Sequence, residues 1–213
     1  MPPSNSRSGT PGLRDRKREA TRAVILQTAT RLFAERGYDS VTVEEVAEAC
    51  ELSPRTFFRY FASKEDVLFS GTEARRSMLL HMLKSQPAGA TPFQAIAGAS
   101  RMMGAHYLPD RELLRARARI IDSAPSLQAR NSGLPQQWDG DVIGFLRSSG
   151  RAAAMDDLEL RLVVGASMTA LRVSIETWIT TDSDLLELID SAFRRLSEGF
   201  RTGARGTRRR AAS

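Results

Sequence analysis

The feature that most constrains this chain is a recurrence of helix-start signals at short spacing: Thr42-Val-Glu-Glu45, Ser53-Pro54 and Ser63-Lys-Glu-Asp66. Thr42 and Glu45 form a capping box, in which hydroxyl and carboxylate satisfy each other's backbone donors. Ser53 is an N-cap, and Pro54 takes the first helical position, where its missing N–H costs nothing. Starts this close together leave room only for short helices. Val43, Val46, Ala47 and Cys50 line one face of the helix after Thr42, and the next runs from Pro54 to Phe61. A longer helix precedes them, from about Arg14 to Arg36, with Ile25, Ala29, Leu32 and Phe33 on its buried face. Gly37 stops it, able to take the left-handed cap conformation. Three helices in so little chain make a compact unit, and a fourth, from Ser63 to about Ser85, leads away from it.

The rest of the chain keeps helical periodicity, interrupted by Pro, Gly and Ser. Helices are expected at about 92–107, 110–122, 126–148, 156–180 and 183–201, nine in all, and no strand signal is present. The last two carry the clearest stripes. Leu160, Val164, Ser167, Met168, Leu171, Ile175 and Trp178 form one; Leu185, Leu188, Ile189, Ala192, Phe193, Leu196 and Phe200 form the other. Such stripes serve equally as core or as a four-helix dimer interface. Residues 1–12 and 202–213 read as a disordered arm and a disordered basic tail. The single cysteine, Cys50, allows no internal disulfide. Residues 1–13 lack the apolar core of a signal peptide, and no apolar run approaches the roughly 18 residues of a spanning helix. The expected location is the cytoplasm. The formal net charge of +6 in 213 residues favours an anionic partner such as nucleic acid.

A short helix, a tight turn and a second short helix is the helix-turn-helix plan, whose second helix enters the DNA major groove. Spacing alone also fits inert packing; residue chemistry favours DNA. Arg55, Thr56, Arg59, Tyr60 and Lys64 place cations, a hydroxyl and a phenol on and just after the second helix, and Ser53 with the amides behind it adds donors for phosphate.

The run from Arg31-Leu-Phe-Ala-Glu-Arg-Gly-Tyr through Val43-Glu-Glu-Val-Ala to Cys50, then Ser53-Pro-Arg-Thr-Phe-Phe-Arg-Tyr-Phe-Ala-Ser-Lys-Glu-Asp-Val-Leu68, resembles the DNA-binding signature of the TetR family over about residues 18–69. The resemblance implies an all-α fold: an N-terminal three-helix helix-turn-helix domain (13–62) and a C-terminal helical ligand-binding and dimerisation domain (63–201), with dimerisation through the last two helices. It implies a repressor that binds a palindromic double-stranded operator as a homodimer and is released by a small-molecule effector. Thr42 would cap its helix and touch phosphate, Arg55 and Thr56 would meet base edges, and Tyr60 and Lys64 would contact phosphate. Arg55 could be bidentate to guanine, a contact worth about 1–3 kcal/mol of discrimination, or clamp a phosphate. Phe58 stands where the family usually has tyrosine; its ring could meet a thymine methyl. Glu51 stands where the turn usually has glycine, at a cost of about 1 kcal/mol if the position is left-handed. A C2 dimer would set two recognition helices roughly 34–36 Å apart.

The effector would contact residues of the middle and late helices: Met102, Met103, His106, Tyr107, Ile120, Trp138, Phe145, Met168 and Trp178. Ala118-Arg-Ile-Ile-Asp-Ser-Ala-Pro-Ser-Leu127, with Trp138 and Trp178, resembles the subgroup with acyl-CoA-like ligand domains. Arg101, Arg115, Arg117, Arg119 and Arg172 would then meet an anionic head group or else remain ordinary exposed arginines. No catalytic residue, metal site or cofactor is expected: His81 and His106 lack partners at metal-ligand spacing, and Gly-rich phosphate loops are missing. Two rivals stay open, a non-specific nucleoid-type protein using its basic ends and a helical small-molecule protein or enzyme with a vestigial helix-turn-helix. Arg14, Arg16, Lys17 and Arg18 are either a phosphate- or minor-groove-seeking arm or a solvated terminus.

Overall fold

A computed structural model describes residues 12–199. Of the expected arm and tail, only Gly12 lies within them. The described residues form eleven α-helices and one 3-10 turn. The helices are α1 Leu13–Arg36, α2 Val43–Ala49, α3 Pro54–Tyr60, α4 Lys64–Phe69, α5 Thr72–Lys84, α6 Pro92–Tyr107, α7 Arg111–Ser123, α8 Pro125–Ser132, α9 Leu134–Ser148, α10 Asp157–Thr180 and α11 Leu185–Glu198. None is long and apolar enough to cross a membrane.

Two expected helices are each divided. The one over 63–85 breaks at Ser70 and Gly71: Ser70 is extended, its hydroxyl donates to the Val67 carbonyl at 2.7 Å, and Gly71 takes φ +79°. The one over 126–148 breaks at Gly133, after which Pro135 restarts the chain in a first turn, where its missing N–H is tolerated.

The chain forms two compact units. Among the described residues, the first comprises those up to Arg76 together with Asp110–Leu134, and the second comprises Ser77–Pro109 and those from Pro135 onward. The core of the first pools Ile25, Ala29 and Phe33 of α1, Val46 of α2, Phe57 of α3, and Val67 and Leu68 of α4 with Ile120 and Leu127 of α7 and α8. Short helices gain little stability from their own hydrogen bonds, so this shared burial is what holds α2, α3 and α4.

In the second unit α6, α10 and α11 pack on one another. Gly104 permits close approach of α6 and α11, since a Cβ there would lie 2.5 Å from Ile189 Cδ1. Met103, Leu160, Val164, Leu171, Trp178, Leu185 and Ile189 are buried. Caps match the sequence signals: Thr91 with Gln94 makes a second capping box, and Asp156 and Asp184 accept from backbone N–H groups at the starts of α10 and α11.

Candidate DNA-binding site

The turn before α3 is built by backbone strain and side-chain caps together. At the end of α2, Leu52 N donates to Ala47 O and Glu51 N to Glu48 O, the paired bonds of a Schellman motif. Glu51 sits at its left-handed position with φ +56°, the one non-glycine residue with positive φ among those described. Ser53 then caps α3, its hydroxyl accepting from Thr56 N at 3.1 Å.

Buried Phe57 anchors α3, being 1% exposed, while the adjacent Phe58 is 51% exposed and packs edge-on against it at 88°. Arg55 and Arg59 share the exposed surface with Phe58, and Thr56 and Tyr60 are half-buried. The helix therefore presents a guanidinium, an aromatic ring and a second guanidinium outward from a fixed anchor. Arg59 lies over the Tyr60 ring, 5.3 Å from its centroid. Hydrogen bonding to Arg59, aided by Thr21 and nearby Arg18, holds the Tyr60 phenol below its ordinary range.

Thr42 performs the expected cap. Its hydroxyl accepts from Glu45 N at 3.2 Å, and Glu45 Oε2 accepts from Thr42 N at 2.8 Å. Arg36 Nη2 reaches the same carboxylate at 2.6 Å. These bonds, Thr42 N–H first and Arg36 next, hold the Glu45 carboxyl below its usual range.

Lys64 has an internal job. Its Nζ donates to Tyr38 O at 2.8 Å and Val41 O at 3.0 Å, which leaves one donor, and stands 4.0 Å from the Tyr38 ring centroid. It clasps the α1–α2 connection to the start of α4. Burial pushes the Lys64 ammonium down and, with the Glu65 and Asp39 charges, the Tyr38 phenol up to about 12.

Two further arginines that sequence reasoning did not single out for DNA binding fix this frame. Arg22 Nη1 donates to Tyr60 O at 2.9 Å, and its guanidinium lies 4.5 Å from the Phe61 ring centroid, tying the end of α3 to α1. Arg130 of α8 reaches Asp66 at 2.6 Å and Glu65 at 3.2 Å, and stacks on Phe69. Nothing in the spacing of either residue distinguishes it from a solvated arginine.

The expected effector residues are spread. Ile120 lies in the first unit's core, because α7 packs against α1 there. Met103, Tyr107 and Trp178 are buried in the second unit, Trp138, Phe145 and Met168 are half-buried, and Met102 and His106 are exposed. Among the five arginines considered for an anionic head group, Arg101 pairs with Asp190, Arg172 with Glu176 and Arg115 with Glu112. Arg117 is buried, donating to the carbonyls of Leu68 and Ser70; Arg119 is exposed. Arg115, Arg117 and Arg119 fall in the first unit and the other two in the second, so the five have neighbouring partners or solvent to face. Sequence reasoning missed Ser100 of α6. Its hydroxyl and that of Ser167 of α10 are fully buried without a hydrogen-bond partner among the described residues. A small polar residue inside an apolar stripe was the available signal.

A helix-turn-helix with an anchored second helix and an outward cationic face defines a DNA-binding protein. Residues 25–70 match the model for bacterial regulatory proteins of the TetR family, and residues 90–201 match that of the MftR C-terminal domain. The transcriptional regulator TcmR of Streptomyces glaucescens is 33% identical over 94% of this chain and 91% of its own length. The mycofactocin biosynthesis regulator MftR of Mycobacterium tuberculosis, described as putative, is 26% identical over 84% of the chain and 90% of its own. The solved structure of the fatty acid degradation regulator FadR from Bacillus halodurans is similar in fold, with TM-score 0.62 and 21% identity over 85% of this chain and 96% of that one. The chain belongs to the TetR family of transcriptional regulators, and it is not an enzyme.

Proposed function

We propose that the chain is a repressor that binds a palindromic operator as a homodimer and is released when a small molecule enters its second unit. One observation carries the DNA half of this reading: α3 is pinned by Phe57 with Arg55, Phe58 and Arg59 facing out. Arg55 and Thr56, on the first turn of α3, are assigned to base edges. Ser53, Arg59, Tyr60, Thr42 and the free donor of Lys64 are assigned to phosphates.

Dimerisation is supported by a second apolar stripe on α10. Leu160, Val164 and Leu171 face the unit's own core, whereas Leu158 and Leu162 are 67% and 62% exposed and Val173 follows on the same side. A helix apolar on both faces needs a second surface to cover it, and a second copy of α10 provides one.

For the effector we favour an apolar body carrying a hydroxyl or carbonyl, taken up within the second unit, where Met103, Tyr107 and Trp178 are buried and Ser100 and Ser167 would serve as polar hooks. FadR from Thermus thermophilus is solved in complex with lauroyl-CoA and FadR from Bacillus subtilis with stearoyl-CoA. Those complexes keep an acyl chain among the candidates, although Arg101, Arg115 and Arg172 are ion-paired and Arg117 is bonded internally. To release DNA, the effector must bind the DNA-free state more tightly than the DNA-bound one.

The test is a titration on the protein's own upstream intergenic DNA against a shuffled duplex, with stoichiometry measured. Two protomers per palindrome, with a tenfold or greater loss of operator preference in Arg55→Ala, is the expected result. Equal affinity for both duplexes, retained after testing distant sites, would sink the reading.

A further inference from the structure

The first helix extends well beyond the core it helps to build, and its inward face changes character where it does so. Ile25, Ala29 and Leu32 are buried. Traced back towards the N-terminus at helical spacing, that face continues as Thr21, Arg18, Lys17 and Arg14, so hydrophobic positions give way to cations within one stripe. The helix is continuous from Leu13, so these cations stand on a rigid rod fixed to α3 through Arg22 and the Tyr60 carbonyl. Arg14, Lys17 and Arg18 form no ion pair among the described residues. They face Arg59 and Tyr60 at the C-terminal end of α3 across an open groove of ≈ 640 Å³, in which Asp15 is the one acid.

We infer that this groove is a phosphate-binding station, taking the sugar–phosphate backbone of the duplex just outside the bases read by α3. The inference rests on the proposal that α3 is the recognition helix. A helix end that occupies the major groove has a phosphate strand running past it, and here that end forms one wall of the groove. Four cations against one carboxylate supply the charge complementarity, and Tyr60 supplies a hydroxyl between them. Held this way, Arg14 and Lys17 act as sequence-independent contacts that set how α3 sits along the duplex, and they lengthen the footprint on each half-site.

The experiment uses the full chain, with Arg14→Ala plus Lys17→Ala compared with Lys84→Ala plus Arg195→Ala, which removes the same charge elsewhere. Affinity for operator and shuffled duplexes is measured against salt. Losing two phosphate contacts per protomer, four per dimer, should lower the slope of log K against log salt by about 3.6 and leave the operator-to-shuffled ratio intact. The control pair should leave the slope unchanged. Methylphosphonates placed at phosphates flanking the half-site should weaken the wild type by more than they weaken the groove variant. An unchanged slope, an equal fall in the control, or a lost operator ratio would overturn the assignment. Absence of operator preference in the wild type would instead remove the reading of α3, and the slope on the shuffled duplex would still judge the groove.

Discussion

The two units of this molecule lean on polar side chains to different degrees. In the first, polar groups build the frame: Thr42, Ser53 and Ser63 start helices, and Lys64, Arg22, Arg117 and Arg130 hold segments together. The second has caps of its own and an Arg151 clasp on the Gln86 and Pro87 carbonyls, but apolar faces set the packing of α6, α10 and α11, and Ser100 and Ser167 are buried without partners among the described residues. The difference follows from helix length. Helices of six or seven residues cannot bury enough surface alone and need caps and clasps, whereas α10, with 24 residues, stands on its stripe. Reading DNA also demands a fixed helix, and sensing a ligand demands a site that can accommodate one.

The largest effect that bears on this contrast comes from the buried anchor of α3. Phe57→Ala removes the anchor of α3 and should cost about 3–5 kcal/mol. Both tryptophans, Trp138 and Trp178, lie in the second unit. Denaturation followed by far-UV circular dichroism should therefore show an early phase in this variant, with tryptophan fluorescence lagging behind it. Coincident transitions displaced by the same amount would break the division into separately stabilised units.

The sequence was most informative where polar side chains do local work. The starts of α2, α3, α4, α6, α10 and α11 all carry a hydroxyl or carboxylate cap, and all were expected within a residue or two. The two divisions that were missed precede α5 and α9, and each of those helices follows a glycine, Gly71 or Gly133, which has no side chain to announce a start. The outward face of α3 was readable because exposure of Arg55 and Phe58 follows from helical spacing once Phe57 is placed inside. Ile120 falls in the first unit's core and not among the buried residues of the second, because apolar periodicity tells that a helix face is buried, not which core buries it. The internal engagement of Lys64 was hidden for a related reason: its partners are backbone carbonyls, which no sequence pattern reveals.

Glu51 sharpens the contrast from the side of strain. Its φ of +56° is required by the Schellman turn before α3, and a Cβ there costs about 1 kcal/mol relative to glycine. Glu51→Gly should raise the stability of the first unit by about that amount in chemical denaturation and leave operator binding unaltered. A destabilised variant would mean that the side chain makes a contact outweighing the backbone cost.

Phe58 tests whether the exposed aromatic is read by DNA or is merely tolerated. If its ring covers a thymine methyl, replacing that thymine by uracil should weaken binding about fourfold, the value of one buried methyl group. The same replacement should have no effect on Phe58→Ala. A uracil effect that persists in the variant would assign the methyl contact to another residue.

The smallest expected effect lies in the second unit and depends on pH. Asp139 of α9 is half-buried, and burial raises its carboxyl above the usual range, opposed by the charge of Arg172. In the folded chain it therefore holds its proton to a higher pH than in the unfolded chain. The penalty for burying the charge is absent below the unfolded value, and it develops as pH rises through the folded one. Asp139→Asn should match the wild type in Tm at acid pH and exceed it at neutral pH, with the gap opening across that interval. The opposite order at neutral pH would mean that the ionised carboxylate holds a partner in the second unit worth more than its desolvation. Asp139 would then join the two buried serines as a polar group inside the second unit, and the unit would be less purely apolar in its construction than its packing suggests.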